Sequence, residues 1–179
     1  SAEPTLYQTI WLTIGDLLSS IRTTCIPFSR KKVCALKILA STLALEISKA
    51  NVFGIDISLD AIEIAKENKS RLNVKNVFFN EMNILTDTPC KTYDFLISNP
   101  PYVSQNEMKN LSKEIKNFEP HIALTDFNDG LVFYHRLGEI GKEMLKLNGW
   151  IILEVGKEEH SRKVYSIFKN LHYRNLALI

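Results

Sequence analysis

Short apolar runs alternate with stretches of helical periodicity along most of the 179 residues, and this alternation restricts the fold more than any other feature. Residues 52–55, 77–79, 93–98 and 150–155 are brief and rich in Val, Ile, Phe and Tyr, as buried parallel strands are. Between and after them, residues 59–72, 131–147 and 160–170 repeat apolar side chains at three- and four-residue spacing. Ser58 stands where a helix cap is expected, and Asp129-Gly130 and Asn148-Gly149 bracket the second of these helices. A strand that is followed by a helix returns as a parallel neighbour, so a mostly parallel sheet with helices on both faces is the economical architecture.

Elsewhere, residues 5–21 have mostly helical spacing, and residues 22–32, with Pro27 and a basic cluster, form a connector. Residues 36–39 read as a short first strand, with Ser41 capping a helix that runs to residue 49. A further helix is expected over residues 108–117 and a last strand over 173–179. The domain division is a helical segment with its linker at 1–32 and an α/β domain at 33–179.

Composition narrows the function by exclusion. A net charge of +2, with 23% charged residues, gives no clustered positive excess of the sort a polyanion requires, so nucleic acid is not an expected partner. Three scattered cysteines without a Cys-x-x-Cys pair fit a reducing cytosol and argue against zinc or a disulfide framework. His121, His135, His160 and His172 lack metal-ligand spacing and are expected on the surface or in helix packing. No apolar stretch reaches membrane-spanning length, and the chain does not open with a signal-peptide pattern.

Chemistry concentrates after the fourth apolar run, where the chain reads Asn99-Pro100-Pro101-Tyr102. The carboxyl end of a strand is where open α/β sheets bind ligands. Two prolines fix φ and remove two backbone donors, leaving stiff chain with carbonyls free to accept. Asn99, held extended by the proline after it, brings a side-chain carbonyl to the same place, and Tyr102 brings an aromatic wall. Two acceptors and a flat face suit a planar –NH2 group. Asp56, at the end of the second strand, occupies the position that binds ribose hydroxyls in nucleotide-binding sheets; capping of the next helix is its simpler role. Asn83 and Ile84, after the third strand, are candidates for contact with an adenine. A glycine-rich turn after the first strand, which lets backbone approach a nucleotide, is missing: no glycine lies between Gly15 and Gly54.

With these residues in place, the chain resembles the HemK/PrmC family of protein-(glutamine-N5) methyltransferases. The resemblance rests on Asn99-Pro100-Pro101-Tyr102-Val103, Glu114-Ile115, Phe118-Glu119-Pro120, Ala123-Leu124, Asp129-Gly130-Leu131 with Phe133-Tyr134, and the run from Trp150 to Gly156. It covers the chain from about Lys37 onward. It implies a Rossmann-like class I fold, S-adenosyl-L-methionine as cofactor, and peptide chain release factors as partners, methylated on the glutamine of a Gly-Gly-Gln loop. It further implies a cytoplasmic, monomeric enzyme. By matching positions, Asp56 is the ribose acid, Asn83 and Ile84 flank the adenine, and Asn99, Pro100, Pro101 and Tyr102 grip the glutamine amide. The chain departs from the family at the absent glycine turn, at Phe28-Ser29-Arg30, and in the brevity of its amino-terminal helical segment. An adenine-N6 nucleic-acid methyltransferase, which shares the tetrapeptide, and a non-catalytic module without cofactor are the alternative readings.

Overall fold

A computed structural model of the chain describes residues 35–111 and 120–178. It divides into two compact units, one ending at Ile84 and the other beginning at Leu85. The expected amino-terminal segment 1–32 lies outside the described residues.

The first unit is a helix followed by a parallel β-α-β turn of chain: α1 (Ala35–Glu46), β1 (Val52–Asp56), α2 (Leu59–Arg71) and β2 (Val77–Glu81). The strands pair in parallel, Val52 opposite Val77 through Asp56 opposite Glu81. Ala40, Ala44, Ile62, Ala65, Val77 and Phe79 form the core between helices and sheet. Gly54 is required there, since a Cβ at this position would stand 2.7 Å from the Phe79 ring.

Helix α2 begins as its sequence suggested, with the Ser58 hydroxyl accepting from the Ala61 amide. Its end is a Schellman turn. Asn73 takes left-handed backbone (φ 51°), its N–H donates to the Ser70 carbonyl, and the Val74 N–H donates to that of Lys69. Val74 is thereby delivered into the core. At the end of α1, the Asn76 amide donates to the carbonyls of Ala44 (2.9 Å) and Ala50 (2.7 Å). One side chain from the start of β2 thus satisfies acceptors that a helix terminus leaves open.

The expected first strand over 36–39 does not form. Residues 35–46 are one uninterrupted helix, with Leu39, Ala40, Leu43 and Ala44 buried at helical spacing. The cause is in the composition: Ala-Leu-Lys-Ile-Leu-Ala holds good helix formers and no glycine or proline to separate a strand from a helix. Ser41, expected as a cap, sits inside this helix, and its buried hydroxyl has no hydrogen-bond partner among the described residues.

The second unit contains β3 (Tyr93–Ser98), one-turn helices α3 (Gln105–Met108) and α4 (His121–Leu124), α5 (Val132–Met144), β4 (Leu145–Leu153) and α6 (Glu158–Asn170). Strands β3 and β4 are parallel, with Leu96 opposite Ile151 and Ser98 opposite Leu153. Tyr134, Val164, Ile167 and Phe168 form the core under α5 and α6.

Two expectations are corrected in this unit, and a third falls largely outside the described residues. Helix α5 stops at Met144 rather than 147, and β4 starts at once at Leu145. Lys146 bonds Asp94 at 2.8 Å, Asn148 turns the chain through left-handed backbone (φ 64°), and the register skips between Tyr93 and Phe95. Leu147, placed on the helix's apolar stripe by sequence, is 94% exposed. The helix expected over 108–117 is preceded by the single turn Gln105–Met108, and residues 112–119 lie outside the described residues. No strand forms over 173–178. His172 and Asn175 take left-handed backbone (φ 62° and 56°), and Tyr173 and Leu176 pack onto the helical core. Among the described residues, no helix is long and apolar enough to cross a membrane.

Candidate active site

Each unit carries one group of the residues singled out from sequence. In the first, Asp56 ends β1, half-buried. Its Oδ1 accepts the Ser58 N–H at 2.9 Å, so the carboxylate is oriented by the same turn that starts α2. The Met82 N–H donates to the Asp56 carbonyl at 3.0 Å, which brings the loop after β2 alongside. Asn83 and Ile84 come directly after and are half-buried. The three residues therefore lie at the carboxyl ends of two adjacent parallel strands. Helix capping and ligand binding are compatible at Asp56, because a carboxylate has about four lone-pair sites.

In the second unit, Asn99 comes after the last residue of β3 and is exposed, while Pro100 is buried and Pro101 and Tyr102 are half-buried. The ladder continues behind them, since the Glu154 N–H donates to the Ser98 carbonyl at 3.0 Å. Past the tetrapeptide, Val103 bridges Thr125 and its N–H donates to the Leu124 carbonyl at 3.0 Å. Ser104 and Glu107 close a reciprocal capping box, with the carboxylate 2.7 Å from the hydroxyl and 3.0 Å from the Ser104 amide. These bonds, Ser104's first, hold the Glu107 carboxyl below its ordinary range. The four residues are thus pinned at both ends, and Asn99 alone among them is exposed.

The wall behind Tyr102 is built by residues that sequence reasoning did not assign. Asp126 Oδ1 accepts the N–H groups of Asn128 (2.9 Å) and Gly130 (3.0 Å), and its Oδ2 accepts that of Val132 (3.0 Å). Asp126 therefore shapes the turn and opens α5, the work expected of Asp129-Gly130. Asp129 contributes one bond, to the Leu131 amide. Gly130 has φ +83°, and a Cβ there would overlap the Tyr102 carbonyl oxygen. The Tyr134 hydroxyl, fully buried, donates to the Glu154 carbonyl at 2.7 Å. Burial, with smaller contributions from Tyr102 and Glu154, pushes it far above the ordinary tyrosine value, so it serves as a permanent donor. His160 from α6 packs against Tyr102 with its ring tilted, 5.8 Å between ring centroids. An Asx-rich stretch before a helix was a legible signal for Asp126; nothing in sequence marked His160.

A carboxylate closing one parallel strand, and a stiff polar tetrapeptide closing another, place the candidate residues at strand carboxyl ends, where α/β sheets bind ligands. Residues 36–168 match the family described as "Methyltransferase domain", and the chain belongs to that family. Its fold is accordingly the Rossmann-like class I methyltransferase fold. The chain is 37% identical over 143 residues to a release factor glutamine methyltransferase of Fusobacterium nucleatum, covering 79% of this chain and 40% of that protein. It is 35% identical over 147 residues to another of Clostridium acetobutylicum, covering 78% and 51%. It is 38% identical over 152 residues to a bifunctional methyltransferase of Rickettsia conorii, covering 79% and 29%. The chain spans about half or less of the length of these relatives.

Proposed function

We propose that this chain transfers a methyl group from S-adenosyl-L-methionine to the side-chain amide N5 of a glutamine, the one in the Gly-Gly-Gln loop of a peptide chain release factor. The observation that carries the reading is the tetrapeptide's setting: Asn99 exposed at a strand terminus, Pro100 buried behind it, and Tyr102 braced from the rear. Family membership and the similarity to release factor glutamine methyltransferases support it. Residues 33–179 are read as the catalytic domain and 1–32 as part of a substrate-docking segment. A cytoplasmic monomer is the matching expectation.

The fit to the cofactor is partial. Asp56 would accept from the ribose hydroxyls, and Asn83 and Ile84 would lie beside the adenine. The backbone N–H groups of a glycine turn are not supplied after residue 39, where the chain is the interior of one continuous helix. Binding through the ribose and adenine side alone implies reduced affinity. When bound, the cofactor supplies an electrophilic methyl on a sulfonium.

The protein's own part is to orient a poor nucleophile. An amide nitrogen has its lone pair delocalised into the carbonyl. Asn99 Oδ1 and the Pro100 carbonyl would each accept one amide N–H, holding the nitrogen toward the methyl and stabilising the positive charge that develops on it. Once methylated, the amide nitrogen held by these two acceptors would release one of its two protons and return to a neutral amide. Tyr102 would flank the amide and exclude water. Placement of this kind is worth about 7–11 kcal/mol when reacting atoms are held near contact, and no general base is required.

The test is transfer of a radiolabelled methyl from the cofactor to purified release factor, with DNA and RNA offered in parallel. Label on the release factor glutamine, lost by about 100-fold or more in Asn99→Ala with cofactor affinity retained, supports the reading. Label on nucleic acid would select the adenine-N6 alternative. A second reading, a module that has lost its cofactor, is favoured by the unbroken α1 helix. Calorimetric titration with S-adenosyl-L-methionine separates the two, since absence of heat at millimolar cofactor selects the second.

A further inference from the structure

His160 lies outside the tetrapeptide but contacts the groups packed behind it. Its ring on α6 meets Tyr134 edge-on at 5.1 Å between centroids and Tyr102 at 5.8 Å with a 50° tilt. Both ring nitrogens are engaged. Nδ1 is 3.1 Å from the Gly156 backbone nitrogen, which can only donate, so Nδ1 holds the lone pair. Nε2 is 3.0 Å from the Gly130 carbonyl, which can only accept, so Nε2 carries the proton. The two backbone groups thereby select one neutral tautomer.

Both of these partners also bear on Tyr102. A Cβ on Gly130 would run into the Tyr102 carbonyl, and one on Gly156 would stand 3.3 Å from both the Tyr102 ring and His160. His160 thus ties together the turn before α5 and the loop after β4, and its own ring fills the space between Tyr102 and Tyr134. We propose that His160 is a positioning residue, which sets the orientation of Tyr102 and through it the wall against which the substrate amide lies. The proposal rests on the reading of the tetrapeptide as an amide clamp.

Three variants of the 179-residue chain dissect it. His160→Asn keeps an acceptor near the Nδ1 position and loses the bond to Gly130. His160→Gln carries a donor out to the Nε2 position and loses the bond to Gly156. His160→Phe keeps the ring and loses both. Single-turnover methyl transfer to release factor should fall about 10- to 100-fold in His160→Phe, the range for a misplaced reactive geometry. Partial recovery is expected in the Asn and Gln variants, with cofactor Kd and release factor KM unchanged throughout. Long-range nitrogen–proton spectra of the wild type should show the Nε2–H tautomer, and the Tyr102 ring resonances should broaden or shift in each variant. An Nδ1–H tautomer, or Tyr102 signals and transfer rates in His160→Phe equal to wild type, would overturn the proposal. If the wild type methylates no release factor, the clamp reading fails by itself. The tautomer and the Tyr102 spectra then decide whether His160 holds that ring.

Discussion

Removing the Asp126 carboxylate should cost this protein far more than removing that of Asp129, although the sequence singles out Asp129-Gly130. Asp126 receives three backbone N–H groups at 2.9–3.0 Å. Asn128 is exposed, so water can replace that partner; Gly130 is buried and Val132 half-buried, so their amides lose the most. Hydrogen bonds to a charged acceptor contribute about 1.5–3 kcal/mol each. Counting two such bonds, and allowing for non-additivity within one network, Asp126→Ala should destabilise by about 3 kcal/mol. Asp126→Asn, which keeps one acceptor oxygen, should lose about half of that. Asp129 holds the Leu131 amide at an exposed site, and Asp129→Ala should cost below about 1 kcal/mol. Urea unfolding followed by circular dichroism reads all three, and thermal midpoints should fall by about 6–12 °C for Asp126→Ala. Equal costs for the two alanine variants, or the reverse order, would refute the assignment of Asp126 as the residue that shapes this turn.

Gly130→Ala must place a Cβ against the Tyr102 carbonyl at φ +83°, so it should destabilise by more than about 2 kcal/mol and slow methyl transfer, measured by the same unfolding and label-transfer assays. Ser41→Ala should stabilise by about 1–2 kcal/mol in urea, because it removes a buried hydroxyl without a partner among the described residues and improves helix propensity. Burial pushes the Tyr173 hydroxyl, which donates to the Gly138 carbonyl at 2.9 Å, up to about 12. Since the folded state holds this proton more tightly, stability should be full below pH 10 and decline as pH rises toward 12. Tyr173→Phe should flatten that part of the stability profile.

Bounded apolar runs were the legible part of this fold. Residues 52–56 and 93–98 are strands because each is short, β-rich and closed by a polar residue, and Ser58 announced α2. Residues 36–39 failed because a brief apolar run has no period of its own. The missing glycine that argued against a cofactor turn also removed the break that a strand there needed. The end of α5 was misjudged because Leu147 fits a helical stripe, whereas strand pairing of Leu145 with Tyr93 decides the outcome. At the candidate site, Asn99-Pro100-Pro101-Tyr102 and Asp56 were visible because their types and their placement at strand ends declare a purpose. Tyr134 and the bond of His160 to Gly130 were not, because their partners lie 20 and 30 positions away.

The Asn76 carboxamide has a consequence for the order in which the first unit is assembled. It binds a carbonyl of α1, 32 positions earlier in the chain, so the local turn that closes the helix, with the Ala50 N–H on the Ile47 carbonyl, is completed by a distant side chain. Docking of β2 and completion of the helix end are thus expected to be coupled across a long loop closure.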